Sequence, residues 1–589
     1  MPSNKKFFKR FLKWRYKNIS DKNFINFLAM LVGLAAGLSA IILKNLTHFI
    51  SAIFEDGVVA SYHSYWYFIF PLLGLLLTFL VKKIVIKHKI THGIPMALFA
   101  ISKKEGKVNR SNLFTSLITA PLTVGFGGSV GLEGPSVATG AAFGSGISDL
   151  FHMKAQTRKL LLVCAAAGSL SAIFKAPIAA ILFALEVFSL ELTFTSMLPL
   201  LIASVSAVLT RLLLIGEQYI VNLNEIQHFE IGNLPFYIFL GLFAGLVSIY
   251  FTMVYFKTEN QFRKVQKPIF RVILAGMILG VLTYLVPPLY GEGFEFMNKI
   301  IGQDYETALD SFLFRDQQST WVVLSLMVGL IFLKPLATAV TLSGGGVGGV
   351  FAPVLFLGTV LGSFYVNFCK QLGYILPNNN FAMLGMAGLM AGVLQAPLTA
   401  MFLIAEVTGG YQLFIPLMLV VGTAFMISKS YQESNIYTKE LKEKNALLTL
   451  DKDQSVLTLL NLDSIIETNF IILKPGMTLK DMLFKAVVKS KRNLYPVVDE
   501  DEKLIGVITL DDIRDIMFDQ DKYESVVVEF LMHDPPDFID YEQDSMQQIM
   551  LKFQNSAAWN LPVLKQGKYV GFVSKSKLLT AYRRKLITY

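Results

Sequence analysis

Cysteine is almost missing: Cys164 and Cys369 are the only two in 589 residues. They lie far apart in apolar segments, so they offer neither a disulfide framework nor metal-ligand spacing, and both read as packing residues. Charge is also scarce. Asp, Glu, Lys and Arg make up 16% of the chain against 53% hydrophobic residues, too little to cover a soluble protein of this length. No nucleophile–base pair and no metal-ligand cluster stands out, which argues against an enzyme. No small-residue cleavage site marks the first long apolar segment, so a removable signal peptide is not read here. The net charge of +10 is not a nucleic-acid footprint. Much of it gathers in short runs beside apolar segments, at Lys5 to Lys17, Lys82-Lys83, Lys87 to Lys89, Lys103-Lys104 and Arg263-Lys264, the pattern of cytoplasmic membrane faces.

Long apolar runs are abundant. Segments able to span a bilayer recur from about residue 24 to about residue 430. Residues 1–23 alternate aromatics with cations, which suits a helix on an anionic inner leaflet or one packed on a cytoplasmic domain. Residues 24–440 form the membrane part, with a first half over about 24–215 and a second over about 235–440. Helices are expected near 24–50, 65–84, 110–124, 158–190, 195–215, 236–257, 269–286 and 319–334, with tightly spaced ones over 381–430. Residues 441–464 are charged and linker-like, and soluble α/β composition follows from 465.

The stretch Gly125-Phe-Gly-Gly-Ser-Val-Gly-Leu-Glu-Gly-Pro135 interrupts this apolar region. Its glycines open the backbone, and Pro135 suits the first turn of a helix. Such a break leaves free N–H groups and a positive dipole end at membrane depth, where irregular backbone survives only inside protein or along a wet cavity. A carboxylate at that depth costs about 2.5–3.5 kcal/mol or more. Glu133 therefore reads as an acid that competes with an anion for the same donors. The alternative is a glycine-rich packing seam, which needs neither the Glu nor the Pro. Two further Gly/Pro breaks follow the same logic, Thr91-His-Gly-Ile-Pro95 and Ser343-Gly-Gly-Gly-Val-Gly-Gly-Val-Phe-Ala-Pro353.

The halves repeat. At a constant offset Ala176, Pro177, Ala180, Glu186 and Val187 fall on identical residues, ending at Glu406-Val407, and Glu133-Gly-Pro135 lies opposite Phe351-Ala-Pro353. Paired broken segments point to a midplane site in a transporter-type fold. Both ends of the region look cytoplasmic, which favours inverted halves.

Together the three breaks and the repeat resemble the CLC family of chloride channels and proton/chloride antiporters over about residues 24–440. The family's Gly-Ser-Gly-Ile-Pro appears as Thr91-His-Gly-Ile-Pro95, its Gly-x-Glu-Gly-Pro as Gly131-Leu-Glu-Gly-Pro135, and its Gly-x-Phe-x-Pro as Gly349-Val-Phe-Ala-Pro353. Its late pore tyrosine falls on Tyr437, with Tyr431 as second candidate. The resemblance implies an all-α polytopic fold of two inverted repeats, a homodimer with one pore per subunit, chloride as the transported ion, and Glu133 as the gate. The central anion site would take the amides of Val350 and Phe351, the Tyr437 hydroxyl and His92 beside Gly93 and Ile94. Amides from Leu132 to Gly134 would serve the outer side. Weak donors suit an ion that must leave again. No cofactor is required.

Two departures bear on function. His92 stands where the family has serine; an imidazole N–H can still donate to chloride, or the ring can turn aside and leave only backbone facing the pore. Val187 stands where the family's antiporters usually carry an inner proton-relay glutamate, so passive channel conduction is expected, with proton/chloride exchange as the alternative. Glu186 and Glu406 read as structural residues ending the repeated helices. A divalent-cation transporter is a remote third reading, since it would need several acids around a hydrated ion. The location expected is the plasma (inner) membrane with both termini cytoplasmic.

After residue 465 the order strand, turn, strand, helix occurs twice, at Leu494 to Arg514 and at Leu561 to Ser574. This resembles a tandem CBS pair, over 465–525 and 526–589, common as a tail in the CLC family. Such pairs can bind ATP, ADP or AMP. The family's ribose-contacting pattern is met by Thr509 and Asp512, while the second copy has Lys577 in place of the acid. Thr509 also serves as a helix cap, and a purely structural, dimer-stabilising module is the competing reading.

Overall fold

A computed structural model describes residues 10, 13–54, 65–86, 93–188, 193–216, 229–309, 320–443, 457 and 460–588. The chain divides into two compact units, Met1–Leu447 and Leu448–Tyr589.

The first unit is helical. Its elements are α1 (Asp21–Phe54), α2 (Tyr65–Val81), α3 (Ile94–Lys103), α4 (Asn112–Gly125), α5 (Glu133–Leu150), α6 (Ala155–Phe174), α7 (Pro177–Phe188) and α8 (Phe194–Ile215). Then come α9 (Leu234–Arg263), α10 (Pro268–Leu285), α11 (Phe294–Ile301), α12 (Tyr305–Leu309), α13 (Thr320–Ser343), α14 (Phe351–Gln371), α15 (Asn378–Leu394), α16 (Pro397–Val407), α17 (Phe414–Tyr431) and α18 (Lys439–Glu443). Among the described residues nine helices are long and apolar enough to cross a membrane. The segment 158–190 holds two helices, because Lys175 takes a left-handed conformation at the end of α6 and Pro177 opens α7. Gln395 makes the same left-handed break between α15 and α16. The helix expected over 319–334 runs on to Ser343 through Pro335.

Small residues set the helix spacing, as they must where lipid offers no hydrophobic drive to association. A methyl on Gly358 of α14 would lie 2.5 Å from Met386 Cα of α15, and one on Gly144 of α5 would lie 2.7 Å from Leu162 Cα of α6. The helix pair α5–α6 and its repeat α14–α15 thus meet backbone to backbone. The repeats are inverted with respect to each other. The Glu186 carboxylate, at the end of α7, accepts from the Leu398 N–H (2.8 Å), the Thr399 N–H (2.8 Å) and the Thr399 hydroxyl (2.5 Å) at the start of α16. Glu406, at the end of α16, accepts from the Ile178 and Ala179 N–H groups (3.0 and 2.8 Å) at the start of α7. Each short helix therefore caps the exposed amides of the other, which requires the two to run antiparallel.

The second unit is α/β. It contains β1 (Ile466–Glu467), α19 (Leu479–Met482), β2 (Leu494–Val498), β3 (Leu504–Thr509), α20 (Leu510–Ile513), α21 (Val528–Leu531), β4 (Ile539–Asp540), α22 (Met546–Ser556), β5 (Asn560–Lys565), β6 (Lys568–Ser574) and α23 (Lys575–Thr588). Strands β2 and β3 form one antiparallel pair, and β1-β6-β5-β4 form a four-stranded sheet with β4 parallel to β5. Alternating apolar residues give each half its own core, around Tyr495, Val497 and Ile508 in the first and around Leu561, Val563 and Val573 in the second.

Candidate anion site

Three helix starts meet at one point. A methyl on Gly93, just before α3, would lie 3.9 Å from Gly134 Cα in the first turn of α5, and one on Gly134 would lie 3.2 Å from Gly349 Cα, just before α14. Gly93 itself has φ 74°, a left-handed value that lets the chain turn sharply into Ile94-Pro95. The loops before α5 and α14 pair with each other: Gly131 N–H donates to the Gly349 carbonyl and Gly349 N–H to the Gly131 carbonyl, both at 2.8 Å. This antiparallel bridge joins the two glycine-rich breaks and aims both helix N-termini at the same volume. The dipoles and uncommitted amides of two first turns favour negative charge there.

That volume holds the Glu133 carboxylate. The residue is 1% exposed, and among the described residues neither oxygen has a close hydrogen-bond partner. One oxygen lies 3.7 Å from the position a methyl on Gly349 would take, and a methyl on Gly131 would overlap it. The amides that face the carboxylate are its own and that of Ala352, on the first turn of α14. A buried anionic group without a close hydrogen bond is costly, so the carboxylate occupies a place shaped for a negative charge without being fastened there.

Tyr437 lies beside it. The residue is 6% exposed, its hydroxyl is buried without a partner among the described residues, and Glu133 is the acid that acts on it. Tyr431 is 64% exposed at the end of α17 and does not reach the site. Val350 and Phe351 are buried at the start of α14, with the Phe351 ring 5.0 Å from that of Phe174 and 6.4 Å from that of Phe183. Gly93, Ile94 and Gly134 are at the junction; His92 lies outside the described residues. Leu132 departs from the expectation of a free donor: its N–H is taken by the Glu292 carboxylate at 3.0 Å. Val187, at the relay position, is 2% exposed.

Sequence reasoning missed Glu292. It sits between α10 and α11 in Gly291-Glu-Gly293, whose glycines both have positive φ. The signal was an acid with glycine on both sides, hidden in a polar stretch that reads as an ordinary loop.

In the α/β unit, Thr509 and Asp512 are brought together as a capping box. Asp512 Oδ2 accepts from the Thr509 N–H (2.6 Å) and hydroxyl (2.7 Å) and lies 3.2 Å from His533 Nε2. Partial burial pushes the Asp512 carboxyl up, but these hydrogen bonds and the imidazole hold it below the usual carboxylate range. In the second copy Lys577 Nζ turns to the Ile466 carbonyl (3.2 Å) and Glu467 (3.9 Å).

Comparison with known proteins gives a consistent result. The voltage gated chloride channel family matches residues 73–429, and the CBS domain matches residues 462–519. The chain is 26% identical over 440 residues to the "H(+)/Cl(-) exchange transporter ClcA" of Klebsiella pneumoniae, covering 71% of this chain and 88% of that protein. Among solved structures, a slow cyanobacterial Cl-/H+ antiporter superposes with TM-score 0.60 at 22% identity, over 72% of this chain and 99% of the other. A eukaryotic CLC transporter does so with TM-score 0.58 at 17% identity, over 95% and 99%.

Proposed function

The chain belongs to the voltage gated chloride channel family, and from that premise we propose that it exchanges chloride for protons through the junction of α3, α5 and α14, with Glu133 as the gate. The observation that carries this reading is the bare Glu133 carboxylate in a cradle of helix-start amides. Chloride is carried by the amides of Val350 and Phe351, the Tyr437 hydroxyl, the backbone at Gly93 and Ile94, and the side chain or backbone of His92. Backbone donors bind an unhydrated halide without the tight grip of a full positive charge. For the ion to pass, the carboxylate must swing out or take up a proton. Each protonation of Glu133 therefore clears an anion position, which links the two ions at one group. Relatives named as exchange transporters favour this reading.

A passive chloride channel on the same fold is the second reading, and Val187 is the observation that favours it, because valine carries no proton. In the exchange reading the inner proton route runs through water. Purified protein in chloride-loaded liposomes separates the two. An exchanger acidifies or alkalises the medium against the proton gradient when a chloride gradient is imposed, and a channel does not.

We read the basic N-terminal run and the charged segment after α17 as cytoplasmic, on the inner side of the plasma (inner) membrane, a reading in which the end of α1 near His48 faces outward. A second copy would cover the apolar residues exposed on α7, α8, α16 and α17, such as Ile178, Leu201, Leu398 and Met418, as the family's homodimer implies. The CBS-like unit, with Thr509 and Asp512 toward an adenine nucleotide (ATP, ADP or AMP) in its first copy, acts as the regulatory tail.

A further inference from the structure

The gate is not the only acid on the path. A cavity of about 580 Å³ opens between α1, the α10–α11 loop and α11, and its lining includes Lys44, His48, Leu132 and Glu292. Glu133 is absent from that lining and is 1% exposed. Between the cavity and Glu133 stand Leu132 and the carboxylate that rests on its amide. Glu292 holds that position through one hydrogen bond, from the Leu132 N–H at 3.0 Å. The loop is set for the purpose: Gly291 and Gly293 have φ 61° and 83°, and a methyl on Gly293 would lie 2.6 Å from the Phe356 ring.

The surroundings favour an anion. Lys334 is fully buried on α13; among the described residues its Nζ meets the Gly291 carbonyl, at 3.3 Å, and the Phe356 ring, 4.5 Å to its centroid. Lys44 on α1 and Lys334 are the cations that act on Glu292, and no direct ion pair joins either to it among the described residues. The negative charge that acts across the wall is Glu133. The other titratable groups facing this cavity are His48 on α1, Tyr67 on α2, Tyr290 in the loop, and Glu295 and Lys299 on α11, the last two paired at 2.8 Å. An amide, two buried or half-buried cations and a cavity mouth make a place where a chloride ion would be held, and a carboxylate is in it.

We propose that Glu292 is a second gating carboxylate, at the outer mouth: it occupies an anion position on the Leu132 amide beside Lys44 and Lys334, and chloride entering from the cavity displaces it. The proposal rests on the reading that Glu133 gates the same path and that the cavity faces outward. Two carboxylates in series then guard two successive anion positions. Chloride at the Leu132 amide takes over the like charge that the Glu292 carboxylate presents to Glu133. External acid acts at both positions, since protonation weakens each carboxylate's competition with chloride.

The test uses the full-length protein in liposomes, with external chloride and external pH varied separately. Glu292→Ala should lower the external chloride concentration giving half-maximal flux by about tenfold, the value of one displaced charge-assisted hydrogen bond. Glu292→Gln, which keeps the size and one acceptor, should lower it by a smaller factor and guards against a folding defect in the alanine variant. In a Glu133→Ala background a residual dependence of flux on external pH should remain, vanish on adding Glu292→Gln, and survive a His48→Gln control. Unchanged half-saturation in both Glu292 variants, or a residual pH dependence that follows His48 instead, would overturn the proposal. If Glu133→Ala alone left chloride flux and its pH dependence unaltered, the gate reading beneath it would fall as well, so the two failures are told apart.

Discussion

Removing the Glu186 carboxylate should loosen the membrane unit more than removing that of Glu406. Glu186 receives three hydrogen bonds from the start of α16, and Glu406 receives two from the start of α7. At about 1.5 kcal/mol, the low end for a hydrogen bond to a charged group, the sums are about 4.5 and about 3 kcal/mol. Both residues are partly exposed, and water can replace part of what is lost, so roughly 2–3 kcal/mol for Glu186→Ala and roughly 1–2 kcal/mol for Glu406→Ala are expected, near the range of a lost helix cap. The assay is thermal unfolding of the detergent-solubilised protein followed by tryptophan fluorescence, read as the order of the variants. Glu186→Gln keeps one acceptor oxygen and should fall between wild type and alanine. Protein that stays folded should retain chloride flux and its coupling to protons. The opposite pattern, a Glu186→Ala variant that melts with wild type but no longer moves protons, would refute the capping argument and make Glu186 the inner proton carrier that Val187 cannot be.

Three other outcomes follow from the same geometry. Tyr437→Phe removes a buried hydroxyl that has no partner among the described residues, so stability should hold while chloride affinity by calorimetry falls about fivefold, the effect of one lost neutral hydrogen bond of about 1 kcal/mol. Gly358→Ala places a methyl 2.5 Å from Met386 Cα; separating α14 from α15 should lower stability by about 1–3 kcal/mol or more, read as a lower melting temperature, where a Gly410→Ala control, whose methyl would meet nothing within 4 Å, does not. Asp512→Ala should cost about 1 kcal/mol of cap stability in the α/β unit and, on the nucleotide reading, abolish the heat of ATP binding. Because the folded Asp512 carboxyl lies below its usual range, its contribution is present above pH ~4 and is lost as pH falls through the lower folded value, which unfolding measured against pH will register.

Much of the site was legible because membranes penalise what the sequence shows openly. Glycine and proline inside apolar runs, with one acid, have few readings at that depth, and Glu133, Gly134, Val350 and Phe351 do meet at a single junction. The repeat was legible from identical residues at a fixed offset, down to Glu186 and Glu406. What those two glutamates do was less so, since each caps a helix more than two hundred residues away and no local pattern records the crossing. The breaks at Lys175 and Gln395 carry little local signal: both use left-handed residues other than glycine. Glu292 escaped because a loop has no periodicity to violate, and its contact with Leu132 spans the two repeats. Tyr437 was preferred over Tyr431 on the resemblance, and burial separates them in the same direction: Tyr437 is 6% exposed and Tyr431 64%.

The central claim is that the Glu133 carboxylate stands in for an anion between Gly131, Gly349 and Tyr437. Diffraction from bromide-soaked crystals of wild type and Glu133→Ala tests it directly. The account predicts an anomalous bromide peak in the variant where the carboxylate was, within hydrogen-bond reach of the Ala352 amide, and none at that point in wild type at the same pH. An empty or water-filled junction in the variant, with bromide bound elsewhere, would contradict it.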